Sequence, residues 1–169
     1  MVLAASTVAA CGFRAVYAPG SSDANAPAAA ALAQIGVGLI PERSGQLLRL
    51  ALQERFERAG IAAARRYDLA VSFGVSSDTL GIRFSDSNPT WVRVVGTATY
   101  VLVAQDPGRA TVTSGTARSV DGYNVFANQY FAADQEADAV QRRVAEAVAD
   151  QIALQLATFF AKRAAPPSG

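Results

Sequence analysis

With 169 residues and 17.6 kDa the chain is the size of one domain, and 51% apolar against 17% charged residues excludes wholesale disorder. Its 15 basic and 14 acidic side chains leave a net charge of +1, so composition offers no case for a nucleic-acid partner. Histidine is absent, and Cys11 and Lys162 are the sole cysteine and lysine, which excludes Ser-His-Asp and Cys-His catalysis, His-ligated zinc or haem, an internal disulfide and a structural zinc site.

Met1 to Ala10 (MVLAASTVAA) is small, apolar and uncharged, and Cys11 follows directly. Val8-Ala9-Ala10-Cys11 resembles the cleavage box of a bacterial lipoprotein, where small residues let a signal peptidase approach the backbone. The expectation is a signal peptide over 1–10 and a lipid on Cys11 that anchors the mature chain. The apolar stretch is short and no Lys or Arg precedes it, which points to a start upstream of Met1. The structural alternative is a small buried cysteine near a frayed terminus. Ten apolar residues are too few to span a bilayer, which takes about 20.

Residues 11–33 read as the lipidated terminus and a loose tether, because Gly20 to Ala33 is Ser, Asn, Pro and Ala with little periodicity. A single domain is expected over 34–163, with a short tail at 164–169. Gln34 to Ile40 alternates and stops at Pro41, the pattern of a first strand. Gly36 and Gly38 are two glycines of a dinucleotide fingerprint, but the third is missing and Pro41 follows. From Ser44 to Ala59 the period becomes helical, with Leu48, Leu52, Phe56 and Ala59 on one stripe. Ser44 is the expected N-cap, and Gly60 the expected left-handed C-cap clasped by Ile61.

Tyr67 to Ser76 alternates again, with Leu69, Val71, Phe73 and Val75 on one face. Leu80, Ile82 and Phe84 continue it after a bend at Asp78 to Gly81, and Ser85 to Pro89 is a loop of turn formers. Trp91 to Gln105 is the longest strand, Asp106-Pro107-Gly108 turns the chain, and Thr111 to Val120 makes a third antiparallel partner. A long helix runs from Ala132 to Lys162, with acids at its start, Lys162 and Arg163 at its end, and Pro166-Pro167 beyond. The order β-α-β-β-β-α defines an α+β two-layer sandwich: a mostly antiparallel sheet of about four strands with two helices on one face.

Chemistry is scarce. Asp134 and Asp138 lie four apart on one helical face, but a helix start already accounts for acids there. No catalytic residue, cofactor or metal site is expected, and the chain does not read as an enzyme. Arg83, Arg93 and Arg118 fall in or beside strands where they could share the open sheet face and meet phosphate or carboxylate. Trp91 beside Arg93 gives that patch the composition of an interface, although ordinary solvated strand positions read the same way. Alternation also places Ser72, Ser76, Thr97, Thr99 and Thr113 on the open face.

Three blocks carry a family resemblance. Cys11-Gly12-Phe13-Arg14 with Tyr17 looks like a mature lipoprotein start in which proline usually follows the arginine; here Ala15 stands instead. Arg43, Gly45-Gln46, Leu48-Arg49 and Leu52 form a first-helix signature. Tyr123-Asn124, Tyr130, Glu136-Ala137 and the helix from Arg143 to Phe160 form a C-terminal block. Together they resemble the lipopolysaccharide-assembly lipoprotein family, LptE. The resemblance implies a non-catalytic, outer-membrane lipoprotein on the periplasmic side that plugs the LptD barrel, helps it assemble and contacts lipopolysaccharide. The competing reading is an auxiliary or lipid-binding lipoprotein of another envelope transport system.

Overall fold

The structure, a computed structural model, describes residues 26–60, 64–82, 89–125 and 130–165. Seven elements follow in order: α1 (Ala26–Leu32), β1 (Ile35–Val37), α2 (Glu42–Ala59), β2 (Tyr67–Ile82), β3 (Pro89–Ala104), β4 (Thr111–Asn124) and α3 (Tyr130–Ala164). The four strands form one sheet in the order β1-β2-β3-β4, with β1 parallel to β2 and the other pairs antiparallel. All three helices pack on one face of it, giving the two-layer α+β arrangement expected.

The tether reading needs correction at its end. Ala26–Leu32 is a helix, and its Ala28 and Leu32 are buried in the main core. Seven residues are too few to hold a helix by propensity, so packing stabilises it. β1 is also shorter than expected, because after Gly38 donates to the Leu69 carbonyl (3.0 Å) the chain leaves the sheet. Glu42, at a φ of 67°, makes the corner into α2. That helix starts two residues before Ser44, and its N-cap position, Pro41, provides no side-chain hydrogen bond. Gly60 is extended, with φ −175°, and not left-handed; Ile61 lies outside the described residues.

Alternation sets the core. On β2, Leu69, Val71 and Phe73 face the helices, and their partners Leu102, Tyr100 and Ala98 do the same on β3. From α2, Leu48, Leu52 and Phe56 cover them as expected. The long α3 contributes Val140, Val144, Val148, Ile152 and Leu156, all fully buried. It is long and apolar enough to cross a membrane, yet half of its apolar stretch is spent on this core.

Ion pairs align the two long helices. Arg43 bonds Asp138 at 3.0 Å, and Arg55 bonds Asp150 and also donates to the carbonyls of Ala51 and Glu146. Both pairs are separated by 95 positions, so α2 and α3 run parallel in constant register. Asp138, weighed above as a member of a carboxylate pair, is thus a strap between helices. One expectation is reversed by plain alternation: Thr113 pairs with Leu102 and lies on the helix side of the sheet, because it stands an odd number of residues from Arg118 on the open face; the β4 register shifts only beyond it, between Leu102 and Val103.

Candidate functional site

The face of the sheet away from the helices is open over three long strands. Ser72 and Ser76 on β2, Thr97 and Thr99 on β3, and Ser114 and Thr116 on β4 are all exposed there. Its larger side chains gather toward the end where β3 begins. Arg93 sits directly opposite Asp78 and bonds it at 2.9 Å, with 39% of the arginine side chain still accessible. Its Nε is buried and has no hydrogen-bond partner among the described residues.

Trp91 lies two residues from Arg93 on the same face. A Cβ on Gly122 would stand 2.5 Å from the Trp91 ring, so only glycine lets the indole lie against β4. Trp91 pairs with Asn124 across the ladder. This end therefore joins an aromatic surface to a guanidinium, a carboxylate and an amide.

Arg118 occupies the same face but pairs with Thr97, four residues from Arg93 along β3. At about 3.3 Å per residue the two backbones are roughly 13 Å apart. Arg118 is exposed and makes no ion pair among the described residues, while Gln151 of α3 holds its main chain. The structure thus brings Trp91 and Arg93 together and leaves Arg118 as a separate cation. Arg83 and Cys11 lie outside the described residues.

Sequence reasoning did not find Asp78 as the partner of Arg93, because pairing depends on register. It also missed a cleft of about 310 Å³ on the helix side. The cleft lies between the start of α2 (Arg43, Ser44) and α3 (Ala137, Gln141), over a floor of Val75, Val94 and Tyr123. Asp121, on the same side of β4, does not line it. Hydrogen bonding to Arg143 (2.7 Å) holds that carboxyl below the usual carboxylate range. Among the described residues no three His, Cys, Asp or Glu side chains are grouped to hold a metal ion.

The sheet thus has one helix-covered face and one largely polar open face that bears an aromatic, two arginines and the exposed Val120. Residues 30–156 match the family LptE, lipopolysaccharide-assembly, and the chain belongs to that non-catalytic family of lipopolysaccharide-assembly lipoproteins. No curated protein matches the sequence at a significant level. The fold is shared with a Caulobacter crescentus CB15 protein described as a lipoprotein, with TM-score 0.63 and 21% identity, over 81% of this chain and 98% of that one. It is shared too with a minor lipoprotein from Acinetobacter baumannii, with TM-score 0.55 and 16% identity, over 74% and 91% of the two chains. Rare lipoprotein B from Shewanella oneidensis gives TM-score 0.54 and 15% identity, over 74% of this chain and 94% of that one.

Proposed function

We propose that this protein is an outer-membrane lipoprotein, anchored by acyl chains on Cys11, that plugs the LptD barrel and supports its assembly for lipopolysaccharide export. The observation that carries the reading is the family match over residues 30–156. The open face fits it physically. A domain lodged in a barrel lumen needs a polar, lightly charged surface, and the Ser/Thr face, with Asp78 and Arg93 toward one end, Arg118 midway and one exposed valine, Val120, has that character. Trp91, Arg93 and Arg118 are the proposed contacts to the barrel or to lipid phosphate, with Arg83 as a further cation in the adjoining segment.

Copurification from detergent-solubilised envelope tests the reading: the parent should recover a large β-barrel, and recovery of none would overturn it. The proposed contacts are tested in the same assay. Arg118→Glu should weaken recovery of the barrel or binding of lipopolysaccharide several-fold while leaving thermal melting unchanged. At position 93 reversal alone would set like charges opposite Asp78, so the exchange Asp78→Arg with Arg93→Asp is the cleaner variant. If both variants bind as the parent does, the arginines are solvated strand residues and the contacts lie elsewhere.

A further inference from the structure

Charge is not spread evenly along the molecule. Two contacts at the start of β2 define one end. The Tyr67 ring lies 5.3 Å from that of Phe160, near the close of α3, and Arg109 of the β3–β4 turn reaches Asp68 at 3.6 Å. Arg65, Arg66, Arg109, Lys162 and Arg163 cluster around these contacts, all exposed, against Asp68 and Asp106. α2 ends nearby with Glu54 and Glu57 against Arg58, which leaves the cations in excess. Lys162 and Arg163 also meet the negative pole of α3, but Arg65, Arg66 and Arg109 stand on no helix.

The opposite end has the reverse sign. There Arg43, Arg93 and Arg143 are each taken by a carboxylate, of Asp138, Asp78 and Asp121. Among the described residues that leaves Glu42, Asp134 and Glu136 against Arg142. The 16 residues of β3 separate the two ends by about 50 Å at 3.3 Å each, several Debye lengths of about 8 Å. Each end therefore meets its surroundings as a separate charge. The chain also enters the packed body in the basic half. Just after α1 the Gln34 carbonyl accepts from the Arg66 N–H at 3.0 Å, and the seven residues of that helix span only about 10 Å.

We propose that the basic end docks on an anionic phospholipid surface, that of the bilayer holding the anchor, before a partner engages the domain. The nearness of that bilayer rests on the lipidation proposed above; the polarity of charge does not. Arg65 and Arg66 precede β2, Arg109 lies in a turn, and Lys162 and Arg163 close α3. Cations spread in this way over one blunt end suit a planar layer of phosphates better than a single anion. Each Lys or Arg brought to such a layer strengthens binding about five-fold. Because the chain enters at this end, the anchor and the cations reach one surface together, while repulsion keeps the acidic end away from it.

The test uses the full chain with Cys11→Ser, which no acyl chain can join, and vesicles of phosphatidylcholine with or without phosphatidylglycerol. The chain should sediment with the anionic vesicles and not with the neutral ones, and added salt should release it. Arg66→Glu with Lys162→Glu should weaken that binding at least ten-fold, each alone several-fold, whereas Arg142→Glu at the other end should not. A polarity-sensitive dye on Ala110→Cys should respond to anionic vesicles, and the same dye on Ser77→Cys should not. No binding, equal binding to neutral vesicles, an equal loss from Arg142→Glu, full binding by the folded double variant, or a response at position 77 alone would each overturn the proposal. If the double variant fails to fold, the two dye positions decide. An unmodified Cys11 in the mature protein removes the anchor but leaves the vesicle result standing; failure of the unlipidated chain to bind anionic vesicles defeats this inference and leaves the anchor and the plug reading intact.

Discussion

A methyl group at position 96 would stand 2.4 Å from Val144 Cγ1 and about 3 Å from the Phe73 ring. Gly96 is thus the gap through which α3 reaches β3, and Gly96→Ala should lower stability by about 1–3 kcal/mol through overpacking, as read by denaturant unfolding. Tyr100 is a second such point. Its ring is buried and its hydroxyl donates to Gln155 Oε1 at 2.8 Å, and burial raises its pKa above the ordinary phenolic value. A group whose folded pKa is raised stabilises the fold fully below its unfolded value, about 10, and loses that contribution as pH rises through the folded value. Melting temperature should therefore fall above pH 10 in the parent, and less so in Tyr100→Phe.

Elements with a strong period were legible in the sequence, and those held by tertiary contact were not. The stripe of Leu48, Leu52 and Phe56 and the alternation of β2 located α2 and the sheet face correctly, because burial of one face is what periodicity records. α1 was missed because Ala26–Leu32 has no polar face to set a period and owes its helix to α3 and the core. The expected caps at Ser44 and Gly60 failed for a related reason: the sheet-to-helix corner at Glu42 sets where α2 starts. Trp91 and Arg93 were legible as neighbours on one face, whereas Asp78 opposite Arg93 required register, and Thr113 was misplaced because it lies five residues from Arg118, an odd spacing that alternation puts on opposite faces. The glutamines of α3 carry no sequence signal at all, since only the strand beside them gives them work. Gln151→Ala with Gln155→Ala should cost about 1–3 kcal/mol together and, by uncovering the β4 edge, increase light scattering on standing.

At the scale of the whole molecule, α2 and α3 run parallel, locked by Arg43–Asp138 near their starts and Arg55–Asp150 one helical stretch further on. Asp150→Asn should remove most of the charge assistance on the Arg55 guanidinium, which is the main cause of its raised pKa. A loss of no more than about 1 kcal/mol is expected in thermal melts, because Asp150 is largely exposed.

The docking of α1 has a last consequence, for where the protein can stand. With Cys11 held in the membrane as proposed, the covalent reach from the bilayer is counted to Ala26, where the chain enters the packed body. From 11 to 26 that is 15 residues, and at about 3.3–3.6 Å each its greatest extension is about 50–54 Å. Had the body begun at residue 34, eight more residues would have added roughly 26–29 Å of travel. On that proposal the short helix would confine the domain to a shell close under the bilayer, a search volume in which a membrane-embedded partner would stay near.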